Sequence, residues 1–273
     1  MFACFKNLHT HSARLILMIL SVIFSEGLAQ VNTEAMRKED LKPGTHFEIG
    51  GATGYTEGNS SLFQNRSMLR LDYVSDLGHI FVTANYRLGR KDKASFINKG
   101  FSHLRGIRPL QGRLSAEFFA QTEFNEFIKL AHRNLLGTGM RMKWDGLETF
   151  HPRLKSLRLA LGMGLMYERE ALLKESAGDP VHGYQINLLR STNYVVLAWK
   201  PKDNINVQTT AYFQIDTKRF KDYRVLTQSN LIVGLSKRLS LTIDMNMRYD
   251  SEPPGNVKGF DLEIINGATY KFR

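Results

Sequence analysis

The 273-residue chain has a single cysteine, Cys4, which leaves no partner for a disulfide and no cysteine set for zinc. Prolines number only 7 and no low-complexity tract occurs; with 42% hydrophobic and 23% charged residues, this is the composition of a chain that folds. Long apolar runs are missing as well. The longest is the ten-residue stretch Leu15 to Phe24, about half of what a helix needs to cross a hydrocarbon core of roughly 30 Å. A helical membrane protein is therefore excluded. Acidic side chains are the minority, 26 against 37 Lys and Arg, for a formal charge of +11. The basic residues are spread along the whole length instead of forming one block, so nucleic acid is not the expected partner.

The apolar stretch is preceded by Lys6 and Arg14 and followed by Ser25, Glu26, Gly27, Leu28 and Ala29. That basic, apolar, small-residue order is the pattern of a secretory signal, with cleavage expected after Ala29. Removing residues 1–29 leaves 35 basic and 25 acidic side chains and no cysteine. For an exported, thiol-free, basic chain, lipid phosphate is the expected anion.

The remainder alternates with a period of two. From Leu239 the odd positions are Leu239, Leu241, Ile243, Met245, Met247 and Tyr249, and the even ones Ser240, Thr242, Asp244, Asn246 and Arg248. Such a segment is a strand with one apolar and one polar face. The same alternation predicts about 12 strands, beginning near Thr45, Leu62, Gly78, Ile97, Arg113, Leu130, Lys155, Asn187, Asn204, Tyr223, Arg238 and Phe260, with no helix between them. At roughly 19 residues per strand and connection, this suits an antiparallel transmembrane barrel. Tight connections at Ser75 to Gly78, Arg108 to Gly112, Lys200 to Asn204 and Ser236 to Arg238 fall on alternate hairpins and are expected on the periplasmic side. Longer ones, Lys174 to Gly183 and Ser251 to Gly259, are expected outside, and Asp145 to Arg153 is longer than this scheme wants.

Alternation alone does not say which face is inside. Aromatics gather toward strand ends, at Tyr55, Tyr73, Tyr86, Trp144, Tyr167, Trp199, Tyr223, Tyr249, Tyr270 and Phe272, as an interfacial girdle requires. Gly137 and Gly139 share a face with Arg141, and Gly162 and Gly164 with Arg158, as if glycines made room for arginines in a narrow lumen.

Several features occur in a recognisable order. They are Gly58, Asn59 and Ser60; Gln121; Arg133, Gly137, Gly139 and Arg141; Gly162, Gly164, Tyr167 and Glu168; Arg190 with Tyr194; Tyr212 with Gln214; Asp222, Tyr223 and Arg224; and Tyr249 to Pro254 leading to Asp261. In this order the chain resembles, from about Phe47 to Phe272, the bacterial outer-membrane barrels of unknown function labelled salt-induced outer membrane proteins. It departs from them at Thr192, Ile215 and Arg273. The resemblance implies an integral outer-membrane location in a double-membraned bacterium and an association with salt stress, but no activity.

The expected organisation is a signal peptide over 1–29, a short periplasmic segment over 30–42 and an all-β outer-membrane barrel over 43–273. Thr33 to Asp40 is expected as a short helical turn. Lumen charges Arg133, Arg141, Arg158, Glu168, Arg190 and Arg224 form the candidate ladder, either an anion-selective filter or a salt-bridged plug. Glu168 and Glu170, two apart on one face, are expected to pair with these arginines and not to act as a catalytic carboxylate pair. No catalytic residue, cofactor or metal is expected. The remaining function classes are a lipid-modifying enzyme, for which His132, Asn134 and Ser115 are the nearest candidates, and a secreted soluble barrel carrying an apolar ligand. Expected partners are outer-membrane lipid, lipopolysaccharide and, during biogenesis, the barrel-assembly machinery. The oligomeric state is left open.

Overall fold

Alternating side chains make each segment a strand, and twelve of them build one antiparallel sheet. The computed structural model describes residues 33–38, 41–58, 61–92, 94–148, 151–173, 183–253 and 257–270. The signal segment, Phe272 and Arg273 lie outside the described residues. The strands are β1 (Gly44–Thr56), β2 (Leu62–Ser75), β3 (Gly78–Lys91), β4 (Ala94–Pro109), β5 (Leu114–Asn125) and β6 (Leu130–Asp145), followed by β7 (Arg158–Leu172), β8 (Gln185–Lys202), β9 (Ile205–Asp216), β10 (Tyr223–Gly234), β11 (Leu239–Asp250) and β12 (Phe260–Tyr270). Each pairs with its sequence neighbours, in the order β1 to β12. Short 3-10 turns at Glu34–Met36, Glu126–Ile128 and Pro152–Leu154 are the sole helical elements among the described residues.

The sheet curls into a barrel. Glu117 on β5 and Tyr194 on β8 are three strand spacings apart, roughly 14 Å in a flat sheet, yet Tyr194 Oη donates to Glu117 Oε2 at 3.0 Å. β1 and β12 flank the seam, and no ladder joins them among the described residues.

Polarity runs opposite to that of a water-soluble fold. Met163 is 71% exposed, Leu136 64% and Ile49 75%, whereas Arg190 and Glu168 are completely buried. An apolar exterior around a charged interior is what a lipid bilayer demands of a barrel. A soluble ligand-carrying barrel has the reverse arrangement, so that alternative is set aside.

The connections at one end, between β2 and β3, β4 and β5, β8 and β9, and β10 and β11, are the tight ones; this is called the turn end. The opposite, loop end carries the long connections after β7 and β11. Length does not separate the two ends fully. The β3–β4 connection at the loop end is only residues 92–93, where Asp92 takes a left-handed φ of 48°, while the β6–β7 connection at the turn end is long.

Aromatic side chains form two rows, with Tyr73, Trp144, Trp199 and Tyr270 toward the turn end and Tyr55, Tyr86, Tyr167, Tyr223 and Tyr249 toward the loop end. From Phe63, which opposes Tyr55, to Tyr73 along β2 is ten residues. At about 3.3 Å each and a tilt near 45° this spans about 23 Å, close to the height of an apolar band.

Candidate functional site: a lumen in two charged layers

Strand register places opposite charges side by side, and the curl then brings distant pairs together. Toward the loop end, Arg133 on β6 stands opposite Glu123 on β5 and Glu170 on β7. Its guanidinium donates to Glu123 Oε1 at 2.6 Å and to Glu170 Oε2 at 2.5 Å. Glu168 on β7 is the hub, accepting from Arg190 Nε at 2.6 Å and Arg224 Nη1 at 2.7 Å, with Arg133 Nε at 3.2 Å. Arg190 also grips Asp222 bidentately at 2.7 and 2.9 Å, drawing in the connection before β10. Arg224 reaches Asp250 at 3.0 Å, and Arg248 reaches Asp250 at 3.3 Å. Above this net, Ile128, Leu130 and Leu172 pack with Tyr184 and Val257 as an apolar cap. Buried and paired, these charges hold one another in place, with Arg248 the least satisfied because its Nε and Nη1 have no hydrogen-bond partner; removing one partner strands the others without water.

The middle of the lumen is less charged. Leu135, Met166 and Leu226 line it with His103, Gln121, Thr192 and Gln214, around a small cavity of about 40 Å³. His103 Nδ1 lies 3.0 Å from Gln121 Oε1.

Toward the turn end a second layer forms around residues that precede the barrel. The turn at Glu34–Met36 sits between the strands, with Thr33 and Glu34 buried. Glu34 pairs with Arg105 on β4 and accepts from Arg37 at 3.0 Å through both oxygens, while Arg141 Nε on β6 lies 3.7 Å away. Arg105 Nη2 donates to Thr33 Oγ1 at 2.6 Å, and the Glu34 amide donates to Tyr212 Oη on β9 at 3.2 Å. Arg37 bridges on to Glu117 of β5, Arg70 on β2 donates to the Met36 carbonyl at 2.6 Å, and Lys38 pairs with Glu48 of β1. Burial pushes the Glu34 carboxyl up, but Arg105, Arg37 and Arg141 outweigh it and hold the group down at about 2. Within segment 30–42 the described residues form the expected short turn, which lies inside the lumen at the turn end.

The candidate ladder is thus distributed. Arg133, Glu168, Arg190 and Arg224 meet in the loop-end net, and Glu168 and Glu170 pair with arginines there. Arg141 belongs to the other layer. Arg158, at the start of β7, is exposed at the rim, where it lines a vestibule of about 180 Å³ with Glu34, Arg37, Arg141 and Lys143. The glycines serve a different purpose from the one expected. A Cβ at Gly162 would fall within the Tyr194 ring and one at Gly137 within the Phe119 ring, so these glycines seat aromatic rings leaning from the neighbouring strand. Gly139 and Gly164 oppose each other, and a Cβ on either would meet the other's Cα at 3.0 Å, so they let β6 and β7 approach.

The candidate enzyme residues do not converge. Ser115 stands opposite Arg141 near the turn end and Asn134 stands opposite Thr122, which puts Ser115 more than about 20 Å along the strand from Asn134 and its neighbour His132. No group of three or more His, Cys, Asp or Glu suited to a metal exists among the described residues. Sequence reasoning missed Glu34, Arg37, Arg70 and Arg105. Alternation could have placed Arg70 and Arg105 on the polar face of their strands, but the first two precede any strand and carry no periodic signal.

A family model described as a protein of unknown function, DUF481, matches residues 48–272. Sequence comparison with curated proteins finds no match. Among solved structures, the chain is similar to a NanC porin in a rhombohedral crystal form, at 9% identity and a TM-score of 0.42, covering 83% of this chain and 99% of that one. It is also similar to the transport unit of the autotransporter AIDA-I from Escherichia coli, at 10% identity and a TM-score of 0.33, covering 97% and 98%.

Proposed function

We propose, from the premise that this chain belongs to the DUF481 family, that it is an integral barrel of a bacterial outer membrane whose lumen is closed at rest and passes small anions by a narrow route. The turn end, where β1 begins and β12 finishes, would face the periplasm. The observation that carries this reading is the inverted polarity, with a paired Arg and carboxylate net buried inside an apolar exterior. Charges so paired block free diffusion, because water and ions must displace a salt bridge to pass. Positive charge at the turn-end rim, carried by the exposed Arg158 beside Arg141, favours anions over cations there, while the neighbouring Lys143 is paired with Asp145 at 3.1 Å. Such a barrel would keep the envelope tight and admit solute sparingly, in keeping with the salt association of the barrels it resembles.

Single-channel recording in a planar bilayer under a salt gradient tests the reading. The expected result is a mostly closed barrel with small, infrequent steps and a reversal potential on the anion side. An Arg141→Ala, Arg158→Ala variant should lose that preference. Steady, unselective or cation-selective current would overturn it, and permanent silence across salt conditions would remove passage and leave a structural role in the envelope.

A further inference from the structure

We propose that the turn-end layer is a binding site for a small carboxylate solute, occupied in the resting protein by the chain's own Glu34. The proposal deepens the reading of a closed, anion-passing barrel and rests on it for the idea that solute reaches this layer.

Glu34 is held as a ligand would be held. Its carboxylate meets the guanidinium groups of Arg105, Arg37 and Arg141, and its backbone amide meets a phenol, Tyr212 Oη. The barrel strands supply two of those arginines, and Glu117, the strand carboxylate nearest them among the described residues, lies 3.5 Å from Arg105 and already accepts from Tyr194, while Asp72 is held by Arg70 and Glu48 by Lys38. Without Glu34 the site would be cationic and deep, the arrangement in which a carboxylate binds through charge-assisted hydrogen bonds. Arg105 also keeps a donor in reserve, since its buried Nε has no hydrogen-bond partner.

An approach path of the same character leads to it. The vestibule is lined by Arg37, Arg141, Lys143 and Arg158; Glu34 is the one carboxylate among its described lining residues, and Asp145 pairs with Lys143 at 3.1 Å. Four cations around a recess concentrate anions at the door of the site. The occupant is also removable. Residues 33–38 form no ladder with any strand, and their contacts with the barrel are made through side chains of β1, β2, β4, β5, β6 and β9. The segment can therefore withdraw without breaking the sheet. A solute carboxylate would then take the place of Glu34 between Arg105 and Arg141, and the segment would swing clear of the lumen.

Propionate carries a carboxylate on the same two-carbon stem as the glutamate side chain and is the probe. Protein purified from bacterial outer membranes in detergent, as the parent and as Glu34→Ala, is titrated with sodium propionate, with sodium chloride at equal ionic strength as the reference. The expected result is propionate binding at least about tenfold tighter to Glu34→Ala than to the parent. The melting temperature lost by the substitution should return in propionate but not in chloride. Adding Arg105→Gln to Glu34→Ala should abolish both effects. If Glu34→Ala does not fold unaided, refolding from denaturant in propionate against chloride gives the same answer: propionate-dependent folding supports the site. A variant that behaves identically in the two salts, folded or unfolded, overturns it. The two readings fail separately. A silent bilayer with intact propionate binding removes passage and keeps the site, whereas anion-selective current without propionate binding does the opposite.

Discussion

The two charged layers of the lumen are built on different terms. The loop-end layer closes with charges carried by the strands themselves and by Asp222 just beside them, and an apolar cap shuts it from above. The turn-end layer closes only because Glu34 and Arg37, which precede the first strand, fold back between the strands. The first is part of the barrel wall; the second is a contact between the wall and a tether. A buried net that the sheet itself carries can be lost only by opening the sheet, whereas a tethered contact can be lost while every ladder stays intact. The difference teaches where a barrel of this kind can move.

The sharpest test of this contrast is Glu168→Gln. That carboxylate is completely buried and faces Arg133, Arg190 and Arg224, so neutralising it leaves three cations without their common partner. The expected loss is about 3–5 kcal/mol of stability, read by guanidinium unfolding in lipid vesicles; a loss no larger than that of a surface variant would mean the net is not integral to the wall.

Glu34→Gln should cost less, about 1–3 kcal/mol, because the segment can leave and water can reach Arg105 and Arg141 from the vestibule. Its signature is a higher open probability in the bilayer with an unchanged strand signal in circular dichroism. If Glu34→Gln instead proves as damaging as Glu168→Gln, the distinction between wall and tether collapses.

Acidification should expose the contribution of the Glu34 contact. The folded Glu34 carboxyl is held at about 2, below its usual 4.5, so its stabilisation is fully present above about pH 4.5 and is lost as pH falls toward 2. Melting temperature measured across that window should fall more steeply for the parent than for Glu34→Gln, and parallel curves would show that the pairing of Glu34 contributes nothing.

The smallest effect is expected at the rim. Arg158 is exposed, so Arg158→Gln should change stability by no more than about 0.5 kcal/mol while lowering anion preference in the bilayer. A large stability loss would place Arg158 within the turn-end layer proper.

Much of the wall was legible in the chain. Alternation gave all twelve strands with starts within three residues, the loosest being β4, expected from Ile97 and found from Ala94, and β7, expected from Lys155 and found from Arg158. Alternation also sorted Arg133, Arg141, Glu168, Arg190 and Arg224 onto buried positions, because side-chain direction in a strand is a local property with period two. It did not reveal that Arg158 stands too near its strand's end to be covered. Nor did it reveal that Gly137 and Gly162 serve Phe119 and Tyr194, since those rings come from neighbouring strands.

The amino-acid sequence by itself determined the strand count, their order and the two faces of each, for these depend on residues two apart and on short connections. The tertiary structure alone decided which charges meet. Arg224 and Glu168 are 56 residues apart, and Arg105 and Glu34 are 71; nothing local couples them. They meet because curling the sheet brings its charged face to the inside, where low dielectric and absent water make each carboxylate seek whatever cation is in reach. For Glu34 that cation is on β4, reached because the segment that carries it folds into the lumen.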